Sequence, residues 1–199
     1  MPDPRQPRTL QSFDLLGDDV LLMLSRAWAE QTAVQLRIAK ECRRRYKTIE
    51  ATYERMDHDG EITQDVVSSV FRALWTAEAL LITSASNLER WMTKLYRARN
   101  RRPRTNVEHL RTLRNALEHL HEANIDDDSW VATARTATAE RSGIGALPDA
   151  QLSIGLDGDG RIFGVITHDD LTTLVRSLLD ELDAELRDYA ADWAESLSE

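Results

Sequence analysis

The sequence predicts a mostly α-helical fold: a bundle of four to five helices with one β-hairpin inserted before the last helix. Three observations predict it. Long segments repeat apolar residues every three to four positions, as the buried face of a helix requires. Breaks that contain glycine or proline separate these segments. One stretch that begins near residue 152 changes to strict alternation of apolar and polar residues, the pattern of a strand.

Length and composition are those of one globular domain. The chain has 199 residues, and 42% of them are hydrophobic, enough to build one sizeable core. Residues 1–12 contain three of the five prolines, so we expect a flexible arm there and a single helical domain over 13–199. Cys42 is the single cysteine, which excludes an internal disulfide and a zinc site built from cysteines.

The first two helices are predicted to be long. We expect the first from about Asp14 to Met56, because apolar residues recur at helical spacing and no proline or glycine follows Gly17. The second is expected to begin at an N-cap on Thr63 and to end near Arg99.

A third helix is predicted after Pro103, capped by Thr105 or Asn106 and extending to about Ala123. Its apolar side is a stripe of Val107, Leu110, Leu113, Leu117 and Leu120. The Ala- and Thr-rich residues 130–140 are interpreted as a short helix.

The hairpin is predicted at about 151–166. Leu152, Ile154 and Leu156 alternate with small residues, an Asp-Gly turn follows at 157–160, and a second apolar run occupies 161–166. The final helix is expected to begin near Asp169 and to run almost to the end, with leucines on one side and acidic residues on the other.

The charge is strongly asymmetric. The formal net charge is −9, and residues 168–199 carry ten acidic residues against two arginines. Such a balance argues against a protein that coats nucleic acid without sequence preference, although it leaves room for a local basic site. The N-terminus lacks the features of a signal peptide, and no uninterrupted apolar run approaches the ~18 residues of a membrane span. We therefore expect a cytoplasmic protein that does not enter membranes.

The chemically informative residues are Arg114, Asn115 and His119 in the third predicted helix. Asn115 and His119 are four apart, so they share a face that points away from the leucine stripe, and Arg114 flanks it. Imidazole transfers protons near neutral pH, guanidinium holds phosphate oxygens, and the Asn amide orients an imidazole or a substrate oxygen. These groups suit metal-free cleavage of a phosphodiester by its neighbouring 2′-hydroxyl, which makes RNA the expected substrate.

The stretch Arg114-Asn115-Ala116-Leu117-Glu118-His119 resembles the Arg-Asn-x-x-x-His motif of the HEPN superfamily, whose members carry it in a late helix of a four-to-five-helix bundle. Composition alone would produce this strict pattern about 0.01 times in such a chain. The resemblance implies a homodimer with two motifs across a shared cleft and a metal-independent endoribonuclease, in many members a toxin or a phage-defence effector. It also implies that Arg114 holds phosphate, Asn115 orients, and His119 acts as base or acid, with neither cofactor nor metal. The hairpin lies outside the family's minimal pattern.

Two neighbours are secondary candidates. His121 is seven residues after Arg114, and we favour a partly buried, hydrogen-bonded role for it over a catalytic one. Glu118 is placed to tune a histidine pKa, but a solvated helix charge is the simpler interpretation.

A basic run precedes the motif helix and has two interpretations of equal weight. It either follows an RNA backbone or is a solvated helix end that complements the helix dipole. Its members are Lys94, Arg97, Arg99, Arg101, Arg102 and Arg104. The triplet Arg43-Arg44-Arg45 is interpreted as a solvated face.

Two alternatives to a ribonuclease stay open. The first is a non-catalytic dimerisation or binding module, an antitoxin or adaptor whose acidic last helix suits a basic protein partner. The second is an unrelated helical bundle in which the motif is a coincidence.

Overall fold

A computed structural model describes residues 19–55, 62–103, 107–135, 143–156 and 160–196. The arm predicted at 1–12 and Arg104 lie outside these ranges. Within them the chain forms four helices and a small antiparallel sheet between the third and fourth, which confirms the predicted class. The helices are α1 (Val20–Glu54), α2 (Gln64–Ala98), α3 (Leu110–Glu118) and α4 (His168–Ser196).

Helices α1 and α2 form the frame of the molecule. Both begin at side-chain caps: Asp19 accepts the N–H of Leu22 at 3.0 Å, and Thr63 accepts that of Val66 at 3.4 Å. The two helices pack along their lengths, and α4 packs on α1 while α3 packs on α2. Both caps stand where polar residues precede a long apolar repeat, as the sequence predicts for Thr63.

Helix α2 is the centre of the core. Its leucines and isoleucine at 81, 82 and 88 are fully covered, as are Leu110 and Leu113 of α3 and Leu171, Leu178 and Leu182 of α4. Among the described helices α2 alone is long and apolar enough to cross a membrane by length and composition. A core helix passes the same test, and α2 has neighbours on several sides in this fold.

The third helix is shorter than predicted. It begins only at Leu110, after His109 adopts a left-handed conformation (φ 65°), and it ends at Glu118. A 3-10 turn, Leu120–Glu122, follows. The apolar repeat continues to Leu120, so the sequence pattern extends beyond Glu118, where the α-helix gives way to the 3-10 turn.

The sheet pairs different segments of the chain from those of the predicted hairpin. Its strands are β1 (Asn124–Asp126), β2 (Val131–Thr133) and β3 (Gln151–Ser153), in the order β1-β2-β3. The segment interpreted as a short helix therefore begins with β2, and residues 136–140 of it lie outside the described ranges. In register, Leu152 stands opposite Ala132, and both are buried.

The second half of the predicted hairpin is a compact turn instead. Ile162 and Ile166 form an isolated bridge, and with Phe163 they enter the core. The predicted turn at 157–159 lies outside the described residues.

Candidate functional site

The three motif residues belong to α3: Arg114 and Asn115 lie in its middle, and His119 lies at its C-terminal end. The helix buries Leu110, Leu113 and Ala116, so the opposite side is turned outwards. His119 is the C-cap of α3 rather than a mid-helix residue, and its N–H donates to the Asn115 carbonyl at 3.1 Å. Asn115 and His119 were predicted to be neighbours, and the last turn of the helix brings their backbones together.

The His119 imidazole is exposed and oriented. Its side chain is 59% exposed, and Nδ1 lies 3.0 Å from Oε1 of Glu122. The hydrogen bond from His119 is the main cause that lowers the pKa of Glu122, which keeps that carboxylate ionised. When Nδ1 donates its proton to Glu122, the lone pair of Nε2 faces outwards and is free to accept a proton.

The Arg114 side chain is more covered than those of Glu118 and His119. Its side chain is 17% exposed and forms an ion pair with Glu118, one helical turn away. Its Nε is buried and has no partner among the described residues. The interpretation of Glu118 as a merely solvated charge is therefore wrong, because this carboxylate holds the guanidinium. A phosphate that binds Arg114 must compete with Glu118.

His121 is exposed, so the expectation of a partly buried histidine is wrong. Its side chain is 75% exposed. The 3-10 turn that follows α3 advances the chain more per residue than an α-helix does, and this turns His121 away from the leucine stripe. Its ring centroid lies 6.4 Å from that of His119, and its Nε2 lies 3.6 Å from the Glu122 carboxylate. One corner of the surface thus carries two imidazoles around one carboxylate.

The basic run is divided by the fold. Arg99 forms ion pairs with Asp19 and Glu185, and Arg101 forms ion pairs with Glu181 and Glu185. Acidic residues of α4 therefore neutralise two of the predicted RNA-binding cations. Neither earlier interpretation of the run included such pairs.

The other described cations of the run are more available. The Lys94 ammonium lies 4.2 Å from the centre of the Trp91 ring, a cation–π contact that leaves its charge near the surface. Arg97 and Arg102 are exposed, and no ion-pair partner for either lies within the described residues.

A buried charged cluster escaped the sequence analysis. Arg43 is buried rather than part of a solvated face: its Nε donates to Glu78 at 2.8 Å, and its Nη2 donates to the Arg161 carbonyl at 2.9 Å. His168 lies 3.6 Å from the same Glu78 carboxylate. Burial, then the charge of Arg43, lowers the pKa of His168 to about 4, and burial raises the pKa of Glu78. This cluster joins α1, α2 and the start of α4.

One sequence signal does point to this cluster. Arg43 continues the apolar stripe of α1 formed by Leu36, Ala39 and Tyr46, so helical spacing alone assigns it to the buried side. Its partner is 35 residues away, and local spacing does not reveal that.

No protein-family model matches this chain, and neither a curated protein nor a solved structure matches it.

Proposed function

We propose that this protein is a metal-independent endoribonuclease of HEPN type that acts as a homodimer, with Arg114, Asn115 and His119 as its catalytic residues. The observation that carries the proposal is the exposed His119 imidazole, oriented through Nδ1 by Glu122, at the end of the helix that carries Arg114 and Asn115. An oriented imidazole and a guanidinium on the same helix supply the groups for transferring a proton and holding a phosphate.

The reaction follows from these groups. Nε2 of His119 removes the proton from the ribose 2′-hydroxyl, and the 2′-oxygen attacks the adjacent phosphorus. The bond from phosphorus to the 5′-oxygen breaks, and an imidazolium donates a proton to that oxygen. The products are a 2′,3′-cyclic phosphate and a free 5′-hydroxyl. Arg114 stabilises the charge that develops on the phosphate.

Two imidazoles are available as the acid. His121 stands 6.4 Å from His119 in the same chain, and a homodimer would bring a second His119. His121→Ala separates these sources: it should reduce cleavage strongly in the first case and only slightly in the second.

The test is cleavage of single-stranded, structured and transfer RNA in EDTA by the purified full-length protein. We expect His119→Ala and Arg114→Ala to lower the rate by a factor of about 10² or more. His109→Asn is the matched control, because it changes an outlying histidine to a residue that tolerates the left-handed backbone. Failure of the wild type to cleave any of the three RNAs, or equal cleavage by His119→Ala, contradicts the proposal.

Glu118→Gln supplies a second measurement of the same site. This change removes the negative charge that holds Arg114 and should tighten the binding of a non-cleavable 2′-deoxy substrate analogue. A looser complex would mean that Arg114 does not contact the phosphate.

One observation favours a second candidate, a non-catalytic binding module. Arg114 is paired with Glu118 and mostly covered, as a structural arginine would be. In addition, Asp180, Asp188 and Asp192 of α4 are exposed and suit a basic protein partner. Absence of cleavage, together with a partner whose affinity is unchanged by His119→Ala, would select this candidate.

A further inference from the structure

A concave site lies away from the motif, between the α1–α2 end of the bundle and the sheet. It is a pocket of about 610 Å³, within the size range of small-molecule sites. Three separate parts of the chain line it: the end of α1, the start of α2 and the loops around β2 and β3. The motif residues of α3 are not among its lining residues.

Trp130 forms the outer wall of this pocket and is held there by the backbone. Its carbonyl accepts the N–H of Ile154 at 2.8 Å, and its φ of 54° lies in the left-handed region that bulky residues rarely adopt. Gly155 packs so closely that an added Cβ would lie 3.2 Å from the Trp130 Cβ. Trp130 is nevertheless 51% exposed. The fold thus accepts a strained backbone to present a large aromatic ring that it does not cover.

The inner wall is aromatic as well. Phe71 meets Trp130 edge to face, with centroids 5.3 Å apart and ring planes at 82°, and meets Tyr46 at 5.7 Å. This contact is perpendicular, so Phe71 is not stacked parallel to the indole, and Trp130 itself lines the pocket. The Tyr46 hydroxyl donates to Glu50, so this carboxylate is fixed at the side of the pocket, where it can accept amino groups of a ligand.

The rim of the pocket carries a cation. Arg72 is exposed, lines the pocket, and has no ion-pair partner within the described ranges. Ser68 and Gln64 lie one and two turns before it on the same side of α2. Gln64 is the first residue of this long helix, so the positive end of the helix dipole adds to the charge of Arg72.

We propose that this pocket binds a nucleotide, with the base stacked on Trp130 and the phosphate held by Arg72. The Ser68 hydroxyl supplies a donor for the polar edge of the base, and the Glu50 carboxylate supplies an acceptor. The hydroxyls of Ser129 and Ser153 donate to Asp126 and to the Gly155 carbonyl, so they offer a ligand acceptors only. Stacking on an aromatic ring together with an arginine at the phosphate is the chemistry by which single nucleotides are held. The same chemistry fits a free mononucleotide and one unpaired nucleotide of an RNA strand.

The test is calorimetric titration of the full-length protein with adenosine and guanosine 5′-monophosphate, adenosine, inorganic phosphate and a short oligoadenylate. We expect Trp130→Leu to weaken nucleotide binding by about five- to a hundredfold. Arg72→Gln should weaken binding of the monophosphates but leave adenosine unchanged. Arg90→Gln is the matched control, because Arg90 is an exposed arginine of the same helix that does not line the pocket.

The ligands then separate the two sources. An oligoadenylate that binds at least tenfold more tightly than the monophosphate and competes with it identifies an RNA strand as the occupant; equal affinities identify the free nucleotide. Because Arg72 is an exposed helix position, its variant should fold even if Trp130→Leu does not. The proposal is overturned if none of these ligands binds at a concentration of about 10 mM. It is also overturned if a ligand binds and neither substitution changes its affinity.

Discussion

Removal of Glu78 should destabilise the protein more than most single substitutions. In Glu78→Ala the Arg43 guanidinium loses its 2.8 Å bond, and its side chain is only 9% exposed, so water has little access to replace the carboxylate. The Arg161 carbonyl remains a partner, but the positive charge stays buried without a counterion. Breaking such a pair costs about 3–5 kcal/mol. For a domain of this size that corresponds to a fall in Tm of roughly 6–20 °C.

The assay is urea denaturation followed by circular dichroism at pH 7.5. Glu41→Ala is the control, because it removes an ion pair with Arg44 in which the two side chains are 59% and 76% exposed, and it should cost less than about 0.5 kcal/mol. A double variant, Arg43→Met with Glu78→Leu, removes both charges and should recover much of the loss. A cost below about 1 kcal/mol for Glu78→Ala, or no recovery in the double variant, would refute the view that an unpaired buried charge causes the effect.

Three further outcomes are expected from local features of the fold. The pKa of His168 is lowered to about 4, so the folded imidazole stays neutral while the unfolded one takes up a proton below about pH 6.5. The free energy of unfolding should therefore fall as the pH is lowered from 6.5 towards 4. His168→Gln should flatten that slope in denaturant titrations. Thr63→Ala removes the α2 cap and should cost about 1 kcal/mol in thermal melts, whereas Thr63→Ser should melt close to the wild type. Gly155→Ala forces a Cβ against Trp130 and should cost about 1 kcal/mol, with a change in tryptophan emission; an unchanged melt and spectrum would show that the loop adapts freely.

The long helices could be predicted because their signals are local. The Thr63 cap of α2 and the apolar stripes of α1, α2 and α4 lie within a few residues of the structure that they specify. The start of α1 was not predicted correctly, because the helix was expected from about Asp14 and its N-cap is Asp19. The end of α3 could not, because the stripe through Leu120 is compatible with a helix and with the 3-10 turn that forms. The alternation at Leu152 correctly indicates a strand, but it does not identify β2 as the partner, since pairing depends on contacts between distant segments.

The candidate site shows the same division. Asn115 and His119 are neighbours through helix geometry, so their proximity could be predicted, and the spacing of Arg114 and Glu118 also permits their ion pair. The orientation of His119 by Glu122 and the exposure of His121 depend on the turn after α3. The pocket beside Trp130 draws on three separate segments, and no local pattern brings those segments together.

The ion pairs between the end of α2 and α4 have a consequence for any encounter with a polyanion. Glu181 and Glu185 are joined by the chain itself to the arginines at 99 and 101, so they act as a tethered competitor. Tethering of this kind corresponds to an effective concentration of millimolar order. A nucleic acid that approaches these two arginines must displace carboxylates that stay attached to the same molecule, so weak, non-specific polyanions bind less readily at Arg99 and Arg101.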